Sequence, residues 1–237
     1  MAELKILFED GDILAAVKPA GVDSEAARGL APDMVNLVRS HLASGKGAPY
    51  VGVIQRLDRP VSGIMVFAKN PGSAAALSKA LREGKFEKLY RAILCGVPEK
   101  AEDTLTDWLV QEKKGNLTRT GRKGESGAKE AKLTYRILRS EERDGQWYSE
   151  AEIRLLTGRH HQIRVQFASR GLPLLGDRKY GLPDAGDRKY GLPDAGDRKY
   201  GLPAAGNRLC LCAVRLAFPH PKTGKNLSFS IDPPFAL

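Results

Sequence analysis

Apolar residues recur along this chain in short runs, each bounded by residues that turn the backbone. LKILFED and ILAAVKPAG flank Asp10-Gly11, which predicts two strands joined by a tight turn across 4–20. Val35, Leu37, Val38 and Leu42 follow helical spacing behind Pro32 and Asp33, so 32–44 predicts a short helix. The run Ile64–Ala68 predicts a buried strand. A helix from about Ser73 to Arg82 follows, opened by Asn70-Pro71-Gly72 and closed at Gly84. KLYRAILCG (88–96) returns to strand, and 133–138 and 147–156 predict a strand pair around the polar turn Glu141–Gly145. His160–Arg170 predicts a helix ending at Gly171, with Ile163 and Phe167 four apart on its inward side. The tail 209–231 is strand-rich, with a break at HPKTGK. Strands and helices mix without a regular βαβ rhythm, which predicts an α+β fold rather than a doubly wound sheet.

Composition narrows the class. The chain has 237 residues, 42% hydrophobic and 28% charged, enough for one domain or two close subdomains. Its net charge of +10 favours a polyanionic partner, most often nucleic acid. No apolar stretch approaches the ~20 residues of a membrane span. The N-terminus MAELKILFEDGD is acidic where a signal peptide would be basic, so a reducing cytoplasmic location is expected. The three cysteines, Cys95, Cys210 and Cys212, have no disulfide spacing. Cys210 and Cys212 fall on one face of a predicted strand. With His220 they lack an obvious fourth metal ligand and read as buried strand residues.

The basicity has a focus. Residues 112–136 hold eight Lys/Arg, among them Lys113, Lys114, Arg119, Arg122 and Lys123, against three Glu. Interleaved glycines and hydroxyl residues suit a loop or hairpin laid along phosphates, or a solvated loop with no partner. Residues 176–205 carry a tandem repeat: GDRKYGLPDA, GDRKYGLPDA, GDRKYGLPAA. The unit is too short for a solenoid. It offers an Arg-Lys-Tyr cluster to RNA, or is a duplication tolerated in a surface loop.

Two stretches carry candidate chemistry. In Gln55–Lys69, QRLDRPVSGIMVFAK, one carboxylate, Asp58, sits between Arg56 and Arg59 ahead of a buried strand. Flanking cations favour its ionised form and the strand would mount it rigidly, for catalysis or as a structural ion pair. In 155–176, LLTGRHHQIRVQFASRGLPLLG, Arg159, His160, His161, Gln162 and Arg164 crowd a helix start. Phosphate loops, dinucleotide fingerprints, HExxH and paired CxxC motifs are all absent from the sequence. The expected reaction therefore needs no organic cofactor and no tightly held metal.

QRLDRPVSGIMVFAK, KLYRAILCG and LTGRHHQIRVQFASRGLPLLGDRKYG occur in the order seen in pseudouridine synthases of the RluA type. ILFEDGDILAAVKPAG and LAFPHPKTGKNLSF also look like that family's opening and closing strands, so the resemblance spans nearly the whole chain. It implies a mixed, mainly antiparallel central sheet flanked by helices, with an RNA-binding cleft across it. It implies Asp58 as the catalytic carboxylate, attacking or deprotonating the target uridine nucleotide. Tyr90 would stack on the uracil and assist proton handling. Arg164 would pair with Asp58, and Arg56 would fill the gap left by the flipped nucleotide, with Arg59 as its rival. His161, Arg159 and Lys69 would contact RNA or tie the core together.

The chemistry fits independently. Pseudouridine formation breaks the C1′–N1 bond, turns the base and rejoins it through C5; it consumes nothing. It needs a fixed carboxylate, an aromatic platform and an extruded nucleotide. The alternative is a catalytically silent RNA-binding protein on the same fold; a metal-dependent nuclease is disfavoured by the lack of a clustered second carboxylate. The chain departs from the family's pattern at Gln55 and Gln166, where His is common, at Val61, where Thr is usual, and in the repeat, where one unit is usual. We expect a single catalytic domain over 1–237 without an N-terminal RNA-binding module. The expected partner is ribosomal or transfer RNA, and the expected state a monomer.

Overall fold

A computed structural model describes residues 4–25, 33–43, 47–112, 114–181 and 208–237. In chain order the elements are β1 Lys5–Glu9, β2 Ile13–Lys18, α1 Met34–Leu42, β3 Gly52–Val53, β4 Ser62–Ala68, α2 Pro71–Arg82 and β5 Glu87–Cys95. There follow β6 Glu102–Gln111, β7 Thr118–Gly121, β8 Ala128–Arg143, β9 Gln146–Leu155, α3 Gln162–Ala168, β10 Leu211–Pro219 and β11 Asn226–Ser230. The chain divides into two compact units, one of Met1–Lys88 with Ala213–Asp232, the other of Leu89–Cys212 with Pro233–Leu237. The fold is α+β.

In the first unit the strand order is β1-β2-β4-β10, with β3 on β4 and β11 on β10. The β1–β2, β2–β4, β3–β4 and β10–β11 pairs are antiparallel. All seven residues of β4 are buried, as its unbroken apolar run requires of a strand covered on both faces. Asp33 caps α1 by accepting from Asn36 N at 2.9 Å, and Asn70 caps α2 by accepting from Ser73 N at 2.8 Å. Pro71 sits at the start of α2, where its missing N–H costs nothing. Ile13, Ile64, Val66, Leu77, Phe86 and Phe218 form a core, in which Phe86 and Phe218 stack with centroids 5.1 Å apart.

The β1–β2 turn is pinned by Asp10. Its Oδ1 accepts from Asp12 N and Ile13 N, both at 2.8 Å, and its Oδ2 lies 2.8 Å from His220 Nε2. His220 Nδ1 accepts from Lys222 N and Thr223 N, so this histidine clasps the HPKTGK turn to β1–β2. Asp10, Asp12 and His220 offer ligand atoms within 4.8 Å of one another. Their atoms already serve the fold: Asp12 Oδ1 accepts from Asn70 Nδ2 and Ser73 Oγ. His220 thus works in this clasp, and Cys210 and Cys212 are buried in and beside β10, as expected of strand residues.

The second unit has strand order β5-β9-β8-β6-β7, with the β5–β9, β9–β8, β8–β6 and β6–β7 pairs antiparallel. One sheet face carries an ion-pair ladder: Arg91 and Arg139 each reach Glu150 at 3.0 Å, and Arg136 reaches Glu152 at 3.0 Å. The other face is apolar and receives α3, where Phe167 meets Tyr135 edge-on at 5.3 Å. The strand expected at 133–138 is 16 residues long. Much of the 112–136 segment, expected as a basic loop or hairpin, is therefore strand. β7 and the start of β8 pair with opposite sides of β6, and only 122–127 bridge them. Backbone pairing overrides the polar composition there, because alternating Ala131, Leu133 and Tyr135 supply a buried side.

Candidate active site

Asp58 lies in the first unit, on the short loop between β3 and β4, and is partly buried. The residues on either side of it are tied down. Leu57 N donates to Ser24 Oγ at 3.0 Å, and that hydroxyl donates to Leu57 O at 2.7 Å. Arg59 O accepts from Gly21 N at 2.7 Å and from Lys18 Nζ at 3.1 Å. Asp58 O accepts from Val61 N at 3.0 Å, closing the turn into β4. Anchoring the residues on either side fixes the backbone from which the Asp58 carboxylate projects.

Lys18 is the anchor that sequence reasoning missed. It is fully buried at the end of β2, and its ammonium donates to Pro19 O, Val22 O and Arg59 O at 3.0, 2.7 and 3.1 Å. Burial pulls its pKa down to about 8, against the fields of Asp23 and Asp58, which favour the charge.

The flanking arginines do different things. Arg56 is exposed, with no ion pair among the described residues. Arg59 turns to Gly21 O, 3.1 Å from its Nε, and lies 4.0 Å from Asp23. Lys69, expected to contact RNA or tie the core together, does the latter: its ammonium is 2.8 Å from Glu9 Oε1 and also donates to Asp10 O.

In the second unit, Tyr90 is buried on β5, on the face opposite Arg91. Strand register sets Tyr90, Ile153 and Tyr135 in one row, and Tyr135 touches α3. Arg164 is buried on α3. Its Nε and Nη2 each donate at 2.7 Å to the carboxylate of Asp177, and its guanidinium carbon lies 5.1 Å from the Tyr180 ring centroid. The Tyr180 hydroxyl accepts from Thr118 N at 2.8 Å and lies 2.7 Å from His161 Nδ1. His161 stands at φ 52° ahead of α3, stacked on His160 at 3.7 Å. Burial, then the charges of Arg164, His160 and Lys179, push its pKa down to about 2, so the ring that shares a hydrogen bond with the Tyr180 hydroxyl is neutral. Expected to contact RNA or tie the core together, His161 is 6% exposed and its ring meets Tyr180.

The remaining basic candidates divide. Arg119 is held by Glu112 at 3.6 Å and by Glu125, so much of its charge is spent within the β6–β7 region. Arg159 donates to Glu130 O at 2.7 Å from an exposed position. Lys114, Arg122 and Lys123 are exposed, with no ion pair among the described residues. Lys113 and all of the repeat beyond Gly181 lie outside the described residues.

Residues 12–169 match the sequence profile of RNA pseudouridylate synthases. The chain belongs to the RNA pseudouridylate synthase family. It is 32% identical to an uncharacterised RNA pseudouridine synthase of Aquifex aeolicus, over 98% of this chain and 70% of that protein. It is also 32% identical to ribosomal large subunit pseudouridine synthase D of Zymomonas mobilis, over 98% of this chain and 69% of that one. Against a Bacillus subtilis relative it spans 58% of the length. Among solved structures, human RNA pseudouridylate synthase domain containing 1 superposes with a TM-score of 0.74 at 22% identity, covering 99% of this chain and 85% of that one.

For this pseudouridylate synthase, the three single-residue departures from the family's pattern have distinct surroundings. Gln166 is buried and satisfied: its Nε2 donates to Asp107 Oδ2 at 2.7 Å, and its Oε1 accepts from Gln162 Nε2 at 3.0 Å. Val61 is buried. The Gln55 side-chain amide is buried with no hydrogen-bond partner among the described residues. Sequence reasoning also missed Asp177 and Tyr180. Their signal was present in GDRKYG, but three copies of that unit obscured which one the fold uses.

Proposed function

We propose that this chain isomerises uridine to pseudouridine in ribosomal RNA, with Asp58 as the catalytic carboxylate. The observation that carries the reading is the double anchoring of the Asp58 loop, through Leu57 to Ser24 and through Arg59 to Lys18 and Gly21. Asp58 acts on the extruded nucleotide, at the sugar or at the base, while the C1′–N1 bond breaks and a C1′–C5 bond forms; the C5 proton leaves to solvent. N1 takes up a proton in exchange, so atoms and electrons balance without a co-reactant and the reaction calls for no cofactor. Tyr90 supplies a rigid ring for the detached uracil, and Arg164 is a second substrate-binding residue, its guanidinium held by Asp177. Arg56, long and exposed, serves as the wedge in the vacated stack. Lys114, Arg122, Lys123 and Arg159 meet phosphates, with Arg59 and Arg119 beside them in secondary roles.

Relatives named for the ribosomal large subunit support ribosomal over transfer RNA as substrate. No helix among the described residues is long and apolar enough to cross a membrane. We place the enzyme with its RNA in the cytoplasm, acting as a monomer. The test is a pseudouridine map of ribosomal and transfer RNA from cells lacking the gene, complemented with wild type or Asp58→Ala. One or more ribosomal positions should be restored by wild type alone, while purified Asp58→Ala still binds RNA. Restoration by Asp58→Ala overturns the mechanism, and restoration confined to transfer RNA overturns the substrate.

A further inference from the structure

The first unit of the tandem repeat is built into the fold around Arg164. Arg164 and Asp177 have side chains 4% and 0% exposed, and their two parallel hydrogen bonds, both 2.7 Å, fix the plane of the guanidinium. Asp177 is itself held in place. Its Oδ1 also accepts from Lys179 N at 2.9 Å and Tyr180 N at 3.1 Å, so the GDRKYG turn folds around its own carboxylate. Tyr180 then covers the guanidinium with its ring and ties its hydroxyl to Thr118 N and His161 Nδ1. Lys179 Nζ reaches Asn116 O at 2.9 Å, fastening the same turn to the β6–β7 connection.

The three copies are identical through GDRKYGLP, yet their upstream neighbours differ. Before the first copy stand Leu174 and Leu175, 1% and 3% exposed. Leu175 N donates to Ile93 O at 2.8 Å, and Leu175 O accepts from Cys210 N at 2.9 Å. Before the second and third copies the sequence places Asp184-Ala185 and Asp194-Ala195. Seating either later copy against Arg164 would draw a carboxylate into the apolar position of Leu174, where it would be desolvated without a partner. The flanking sequence thus selects the first copy.

We propose that Asp177 and Tyr180 of the first GDRKYG copy are positioning residues that set Arg164 for catalysis, and that the identical later copies take no part. This rests on the reading of Arg164 as a substrate-binding residue of the isomerase. Asp177 touches no reacting atom; it acts through Arg164.

The test uses total RNA labelled with [5-³H]uridine in cells lacking the gene, with tritium release as the measure of isomerisation and enzyme in excess. Asp177→Asn should lower the saturating rate at least tenfold and leave the half-saturating enzyme concentration within threefold of wild type. Asp187→Asn and Asp197→Asn should match wild type in both. A purely structural role would instead raise the half-saturating concentration, by lowering the folded fraction, and leave the saturating rate alone; that result overturns the inference. Equal losses from the three Asn variants overturn it as well. Should Asp177→Asn not fold, Tyr180→Phe carries the same test with an expected loss of threefold to tenfold in saturating rate, and an unchanged rate overturns it. A wild type that releases no tritium overturns the isomerase reading itself, whereas an active wild type with an equally fast Asp177→Asn overturns this inference alone.

Discussion

At the scale of single residues, the site depends on charges and rings held out of water. Lys18 stays in an apolar strand because three carbonyls surround its ammonium; without them a buried cation would be several kcal/mol too costly. His161 is the neutral counterpart. Its folded pKa is pulled from 6.5 to about 2, so between those values the unfolded chain binds a proton that the fold refuses. Its contribution is therefore fully present above pH 6.5 and drains away as pH falls below it, with a slope approaching about 1.4 kcal/mol per pH unit. Urea unfolding at pH 7, 6 and 5 should show this decline in wild type and a flatter one in His161→Gln. Parallel curves would show that His161 is not the titrating group.

At the scale of elements, short connections place the chemistry. Gly63 shows how closely β4 and β10 approach. It has φ +136°, and a Cβ there would stand 2.5 Å from the backbone and side chain of Ala213. Gly63→Ala combines overpacking with a strained backbone, so a loss of at least about 3 kcal/mol is expected. A thermal midpoint within 2 °C of wild type would contradict that account, since a loss of about 3 kcal/mol should lower it by roughly 6–12 °C at this size. Elements were legible wherever pattern and packing agreed: α2 from Asn70-Pro71-Gly72, β4 from its apolar run, the β1–β2 turn from Asp10-Gly11. The basic 112–136 segment was misjudged because its polar face dominates its composition. Its buried face is visible only as every second residue once β6 lies beside it.

At the scale of the whole chain, the +10 charge is spread unevenly between work and structure. Lys69, Arg91, Arg136 and Arg139 are spent on internal ion pairs, whereas Arg56, Lys114, Arg122 and Lys123 stand exposed. The first copy of the repeat fills the place against Arg164, so the later copies are expected to be dispensable. Deleting Gly186–Ala205 shortens a connection whose closure entropy varies only logarithmically with length. Stability should change by less than about 1 kcal/mol, and tritium release should stay within twofold. Loss of soluble protein, or of activity beyond tenfold, would show that the later copies are needed.

The sequence alone determined the family, the α+β class and the identity of the candidate carboxylate, because each is written in contiguous segments: QRLDRPVSG, KLYRAIL and HHQIR. Tertiary structure decided how those segments are held. Lys18 secures the Asp58 loop from 41 residues away, and Asp177 grips Arg164 across 13. Such pairings join charged groups whose burial is a property of the packed fold rather than of local pattern. Which of three identical copies serves Arg164 was decided likewise, by Leu174 and Leu175 entering the apolar interior where an aspartate could not follow.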